Sequence, residues 1–235
     1  MANFEYLLTL LPSLPANLGD KVSIDEAYRL LKSENSTNLD YLVDVLSIED
    51  LIKDFALEYY VQDNKSYKLE LPKNLPESFQ NVFSTFNEKS ESDWITDIYS
   101  SWFDLLINTS RQVGSSALAE WAKWEYSLRI NLMIDRLKRA GLEYDEDELK
   151  PDFMRYDNSY DTSSLVDSYR KSSEPMKAER ALDISRLEFI RSLATSYSFS
   201  ADELVAYMLE LRIYERYARL DPEKGRKILQ EVTAL

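Results

Sequence analysis

Residues 115–140 read SSALAEWAKWEYSLRINLMIDRLKRA and contain neither Gly nor Pro. Apolar side chains recur along this segment at helical spacing, through Leu118, Trp121, Leu128 and Leu132. Such a stripe is typical of a long amphipathic helix that packs one face against a core. We therefore predict one uninterrupted helix over these residues.

Helix signals recur on both sides of this segment. Capping-box patterns, in which a hydroxyl and a carboxylate satisfy the first backbone N–H groups, begin at Ser23, Ser47 and Ser200. The patterns and the apolar spacing predict further helices near 24–33, 38–46, 48–60, 76–88, 92–111, 174–197 and 200–220. Tyr197 is expected to face inward at the end of its helix. We predict an all-α fold, a multi-helix bundle with antiparallel helices.

The length of 235 residues is compatible with one domain, and we expect residues 1–235 to form a single all-helical domain. Residues 66–71 alternate between polar and apolar side chains, which is typical of a short strand, a hairpin or an extended loop. Residues 141–163 are polar and acidic. They are the best candidate for a mobile loop or for a seam between two halves of the domain.

Missing residue types exclude several kinds of chemistry. The sequence has no Cys and no His, which excludes disulfides, thiolate or imidazole metal sites and Ser-His-Asp triads. The Gly-rich phosphate loops and the nucleophile-elbow motif are also absent. The acidic run 143–148 lacks the spacing of a calcium loop. We expect no catalytic residue, no cofactor and no metal ion, although 42 acidic residues leave a carboxylate-based enzyme as an alternative.

The overall charge limits the partners that the chain can bind. A net charge of −14 at pH 7 argues against nucleic-acid binding, which needs clustered Lys and Arg. No run of 18 apolar residues occurs, so no membrane span is expected. Residues 1–15 are apolar without a basic leading region, so no secretory signal is expected either. The lack of Cys fits a cytoplasmic protein.

Charge is unevenly distributed along the chain. Residues 1–100 carry 18 acidic and 8 basic side chains, whereas residues 111–140 carry 6 basic and 3 acidic ones. In one interpretation, Arg129, Arg136 and Arg139 pair with carboxylates elsewhere in the chain. In the other, they contact an acidic surface of a partner protein, where complementary charge mainly aids docking.

Other residues also admit a core or an interface role. Aromatic side chains are common both in cores and at protein interfaces, and the candidates here are Trp124, Tyr207, Tyr214 and Tyr217. Arg180, with its neighbours Lys177, Glu179 and Asp183, could form a second charged contact face. Intrahelical pairing is the alternative, because Arg180 precedes Asp183 by three residues.

Four blocks of the sequence resemble a known family. They are FEYLLTLLPSL at 4–14, WEYSLRIN at 124–131, EPMKAERALD with RLEFI within 174–190, and LVAYMLELRIYERYARLDPEKG at 204–225. These blocks resemble a bacterial family of uncharacterised proteins encoded alongside V-type ATPase subunits. That family is thought of as a shortened relative of the V-type ATPase C subunit, which is called d in eukaryotes.

The resemblance implies a role as a helical connector without chemistry of its own. Such a protein would sit between the central shaft and the membrane ring of proteolipid subunits, pass torque between them and so support ion transport. It would be cytoplasmic and peripheral to the inner membrane. A full C subunit is a longer, three-lobed funnel, so a reduced ring-contacting surface is expected here. The alternative function is that of a helical scaffold or regulator that binds an unrelated protein.

Overall fold

The computed structural model describes residues 4–145 and 160–219. The regular secondary structure of these residues is helical. No β-strand occurs among these residues, which confirms the prediction of an all-α multi-helix bundle. We number the α-helices of the described part as α1 Phe4–Leu10, α2 Asp25–Ser33, α3 Thr37–Ala56, α4 Glu77–Ser84, α5 Glu91–Val113, α6 Ser116–Ala140, α7 Ser163–Lys171, α8 Pro175–Ser192 and α9 Ala201–Ala218.

The long helices begin and end at residues suited to those positions. Ser115 caps α6 and Ser200 caps α9, each Oγ accepting a hydrogen bond of 3.2 Å from the N–H three residues later. Gly114 separates α5 from α6 in the left-handed conformation, with φ of 72°. A side chain would strain the backbone there, so glycine allows the sharp reversal between the two longest helices.

The first half differs from the prediction at one point. The helices predicted over 38–46 and 48–60 are one helix, α3, which continues as a π-helical turn over Leu57–Val61. The capping box predicted at Ser47 is wrong, because Ser47 lies inside α3 and its Oγ donates to the backbone oxygen of Asp44 at 2.8 Å. Such a bond to the preceding turn is compatible with a helix interior.

Other segments of the chain also bear on the predictions. The helix predicted over 174–197 ends at Ser192. Tyr197 lies in the following loop with φ of 61° and an exposed fraction of 84%, so the inward orientation predicted for it is wrong. Residues 163–171 form α7, to which the sequence patterns assigned no element. Residues 66–71 form a turn and an extended loop without strand pairing. The predicted seam at 141–163 lies largely outside the described residues.

Neighbouring long helices run antiparallel. In α3 and α5, Phe55 packs on Trp94 at the far end of α3, whereas the indole of Trp102 donates to the oxygen of Val45 nearer its start. The order of the contacts is therefore reversed between the two helices. The same reversal relates α5 to α6, α6 to α8, and α8 to α9.

Two apolar clusters hold the helices together, and α6 contributes to both. The larger cluster includes the fully buried Trp94, Trp102 and Phe103. The smaller one, between α6, α7 and α8, comprises Trp124, Leu128, Leu132, Val166 and Leu182. Helix α6, predicted from the apolar stripe of residues 115–140, is thus the central helix of the bundle. No helix in the described part of the chain has the length and apolarity needed to cross a membrane.

Candidate functional site

Four helices, α3, α6, α8 and α9, enclose a cleft of about 570 Å³, to which Tyr169 of α7 also contributes. Most of the residues that line it are charged, although the helices around it are otherwise packed through apolar groups. The charged residues of the wall are Glu49, Asp50, Lys53, Asp54, Glu125, Arg129, Arg136, Glu179, Arg186, Arg212, Glu215, Arg216 and Arg219.

Glu49 of α3 is the point at which three of these cations meet. Its Oε1 lies 2.6 Å from Nη2 of Arg129 and 2.9 Å from Nζ of Lys53, and its Oε2 lies 3.1 Å from Nη2 of Arg212. Burial by itself would raise the pKa of Glu49, but the charges of Arg129, Lys53 and Arg212 outweigh it and hold the pKa well below its ordinary value. Glu49 therefore joins α3 to α6 and α9 as an anion at neutral pH.

Glu125 of α6 continues the network towards α8. It accepts from Nε of Arg129 at 2.8 Å and from Nε and Nη2 of Arg186 at 2.9 and 3.1 Å. Burial works to raise the pKa of Glu125, but Arg186 and Arg129 together lower it below its ordinary value. The bidentate pairing with Arg186 fixes both the distance and the relative orientation of α6 and α8.

Asp183 of α8 ends this chain of ion pairs. It is fully buried and accepts from Nη1 of Arg186 at 2.9 Å and from Nη1 of Arg216 on α9. Arg216 also lies 2.6 Å from Glu179, so one guanidinium bridges two like charges on α8. Burial raises the pKa of Asp183 above its ordinary value even though Arg216 and Arg186 oppose it. The predicted pairing of Arg180 with Asp183 is wrong, because these two arginines take its place.

Arg212 and Arg129 anchor the network in the surrounding core. Arg212 of α9 donates through Nη1 to the hydroxyl of Tyr28 and to Asp50, both at 3.0 Å. The guanidinium of Arg129 lies 4.9 Å from the ring centre of Tyr99, a cation–π contact that adds α5 to the assembly. Burial is the main cause that raises the pKa of Tyr99 to about 12, so this tyrosine stays neutral.

The chemistry that this arrangement allows follows from the pairing. Glu49 and Glu125 are held ionised by arginine, so neither is suited to donate a proton near neutral pH. Among the described residues, no cluster of three acidic side chains could hold a metal ion. The charged side chains of the cleft mostly pair with one another and so hold the helices in fixed positions.

The structure places the predicted basic residues in different surroundings. Arg129 is part of the network, as the interpretation of internal pairing expected. Arg139 is exposed and pairs with Asp135 one turn earlier at 3.0 Å. Arg136 and Arg180 are exposed, and Arg136 contributes to the cleft wall. A contact between any of them and a partner protein stays a prediction.

The predicted aromatic residues lie mostly inside. Trp124 stacks on Phe189 with ring centres 4.7 Å apart, and Tyr214 accepts from Arg191 at 3.0 Å. Tyr207 donates to the backbone oxygen of Pro12 at 2.8 Å, and burial is the main cause that raises its pKa to about 12. The half-buried Tyr217 lies beside Gly19. These side chains contribute to the packing of the bundle.

Sequence reasoning missed most of the network. Its members Glu49, Glu125, Asp183, Arg186 and Arg212 are buried and pair across long sequence separations, such as the 163 residues between Glu49 and Arg212. One signal could have indicated them, since each interrupts the apolar face of its helix with a charge. Buried charges are rare unless they are paired, so charges at such positions predict partners on neighbouring helices.

Comparisons with known proteins give one finding. No curated protein and no solved structure matches the chain. A family model matches residues 20–235, which is most of the sequence. The chain therefore belongs to the family described as "Protein of unknown function (DUF2764)".

Proposed function

We propose that the chain is a non-catalytic connector subunit of a bacterial V-type rotary ATPase. In this proposal it links the central shaft to the proteolipid ring on the cytoplasmic side of the inner membrane and so supports ion transport. The four sequence blocks that resemble the family encoded with V-type ATPase subunits support the proposal. Two of these blocks, 124–131 and 204–225, include Arg129 and Arg212 of the ion-pair network.

The observation that carries the proposal is the network that ties α3, α6, α8 and α9 together. A connector has to pass torque without yielding, and a helix that slid or rotated here would leave a buried charge without its partner. Removing one member of a buried pair costs about 3–5 kcal/mol, so such a network resists relative motion of the helices. Dense packing of large apolar side chains in both clusters resists compression as well.

The exposed charges support a role in docking. Arg136, Arg139 and Arg180 reach solvent at the surface of a protein whose net charge is strongly negative. Exposed basic side chains of this kind orient an acidic partner and speed its docking more than they add affinity. We expect the shaft subunit to present acidic side chains opposite α6 and α8.

An affinity pull-down tests the proposal. The tagged full-length chain is expressed in the cells in which it is native, crosslinked, purified and analysed by mass spectrometry. Shaft and ring subunits of the V-type ATPase should be the most enriched proteins. A dominant partner outside the ATPase would favour the alternative, a helical scaffold or regulator of an unrelated protein, and would overturn the connector proposal.

A further inference from the structure

The loop between α8 and α9 carries the most exposed large apolar side chain in the described part of the chain. This side chain is Tyr197, which is 84% exposed, and Phe199 two residues later is 38% exposed. Single apolar side chains on a protein surface are common and need no explanation by themselves. The backbone conformation of these two residues is what sets them apart.

Both residues adopt a conformation that bulky side chains avoid. The φ angle is 61° at Tyr197 and 50° at Phe199, in the left-handed region that favours glycine. Such a conformation costs free energy and persists only where the surrounding structure imposes it. Residues strained in this way cluster at functional sites, so the loop is a candidate for a contact with a partner.

Glu203, in the first turn of α9, holds the loop in this conformation. Its Oε1 accepts from the N–H of Tyr197 and its Oε2 from the N–H of Phe199, both at 2.7 Å, and the hydroxyl of Ser198 donates to Oε2 at 3.3 Å. The preceding residue, Asp202, accepts hydrogen bonds from the start of α6. The ring of Tyr197 is therefore displayed on a base fixed to two helices. Rigid display lowers the entropy cost of binding, and tyrosine is common among the residues that dominate protein interfaces.

The surroundings of Tyr197 indicate the kind of partner that fits. Residues 192–201 carry no charge, and the two carboxylates that follow, Asp202 and Glu203, are engaged by the hydrogen bonds described above. A neutral, apolar pocket on a protein complements such a surface. An anionic lipid surface fits less well, because it attracts segments rich in Lys and Arg, and this loop has neither.

The loop and the exposed basic side chains lie at opposite ends of α6. Asp202 brings the loop to Ser115 and Ser116 at the start of α6, whereas Arg136 and Arg139 lie in its last turns. Ser116 and Arg136 are about 30 Å apart along the helix. The two ends can therefore contact two different partners at the same time.

We propose that Tyr197 anchors the chain in an apolar pocket of a partner protein, at the end of the bundle away from Arg136 and Arg139. The inference rests on the proposed connector function, in which the basic end faces the shaft subunit. The pocket that receives Tyr197 then belongs to the other partner, the proteolipid ring. Phe199 lies beside the anchor and adds to the apolar contact.

The test measures binding of the full-length chain separately to the purified shaft subunit and to the detergent-solubilised ring. Tyr197→Gly removes the side chain and relieves the backbone strain. It should weaken binding to the ring at least about tenfold, as expected for the loss of an aromatic hot spot, and leave binding to the shaft within about twofold. It should not lower the urea midpoint of unfolding, because glycine adopts a positive φ without strain.

Val61→Ala is the control, since it trims another side chain that is highly exposed, at 70%. It should leave binding to the ring within about twofold. If Tyr197→Gly binds the ring as tightly as the native chain does, the proposal is overturned and the connector function stands. If the native chain binds neither subunit, both are overturned.

Two further outcomes would also overturn the proposal. One is a lowered urea midpoint for Tyr197→Gly, which would show that the side chain serves the fold. The other is binding of the native chain, lost in Tyr197→Gly, to protein-free vesicles of phosphatidylcholine and phosphatidylglycerol. That result would show that Tyr197 meets a lipid surface instead of a protein pocket.

Discussion

Glu49 concentrates three cations on one buried carboxylate, and replacing it measures what the network contributes to stability. Glu49→Gln keeps the shape of the side chain but removes one anion from each of two buried arginines, which leaves Arg129 with Glu125 alone and Arg212 with Asp50 alone. We expect the free energy of unfolding, measured with urea, to fall by about 3 kcal/mol. Glu174→Gln removes one partner of the exposed pair with Lys177 and should cost less than about 1 kcal/mol. Equal losses would contradict a special role for the buried network.

The same residue predicts how stability depends on pH. The pKa values of Glu49 and Glu125 are lowered in the folded chain, so the unfolded chain binds protons first as the pH falls. Their contribution is complete above the unfolded pKa of about 4.3 and is lost as the pH falls through the folded pKa values. Urea titrations between neutral and acidic pH should therefore show a steeper loss of stability for the native chain than for Glu49→Gln. Parallel curves would show that folding does not lower the pKa of Glu49.

Only some of the residue roles could be predicted from the sequence. The apolar stripe of α6 and the recurring helix-start patterns were visible in the sequence and correctly indicated an all-α fold. The ion-pair partners could not be predicted, because helical spacing shows which face of its helix a residue occupies but not which helix lies opposite that face. Arg186 illustrates this limit, since its partner Glu125 lies 61 residues away. Only the packing of α6 on α8 brings the two together.

At the level of helices, Asp202 couples the starts of α9 and α6. Its carboxylate accepts from the hydroxyls of Ser115 and Ser116 at 2.8 and 3.0 Å and from the backbone N–H of Ala117 at 2.9 Å. An anion at this position also interacts favourably with the dipole of α6. Asp202→Ala should therefore lower the free energy of unfolding by about 2 kcal/mol, measured by thermal and urea denaturation.

The control for Asp202 is Glu91, another acidic residue in the first turn of a helix, which is exposed at the start of α5. Glu91→Ala should cost only about 0.5 kcal/mol, since it acts through the helix dipole alone. If the two variants lost the same stability, the contact between α9 and α6 would have no energetic importance.

Helices were predictable where a cap and a long apolar stripe coincide. The capping box at Ser200 marks the start of α9 correctly, because its hydroxyl accepts from the N–H of Glu203. The capping-box pattern at Ser47 predicted a helix start that does not exist, since such a pattern also arises inside helices. The end of α8 was missed because no Gly or Pro follows it closely, and the chain instead turns through left-handed Tyr197 and Phe199. The carboxylate of Glu203 accepts from both of their N–H groups at 2.7 Å.

For the whole molecule, the network predicts cooperative unfolding. The larger and the smaller apolar clusters share α6, and the ion pairs of Glu125 and Asp183 join the helices that build them. Unfolding one cluster would expose the buried charges of the other. Urea transitions followed by tryptophan fluorescence and by far-ultraviolet circular dichroism should therefore coincide. Two separate midpoints would show that the clusters are independent units and that the bundle is not rigid throughout.

The most direct test of the proposed connector function is native mass spectrometry of the purified chain mixed with the shaft subunit and the detergent-solubilised proteolipid ring. A connector has to hold both partners at once, so we expect one stoichiometric complex that contains shaft, chain and ring. Shaft and ring mixed without the chain should not form this complex. Binding to neither partner, or to only one of them even when both are present, would contradict the account.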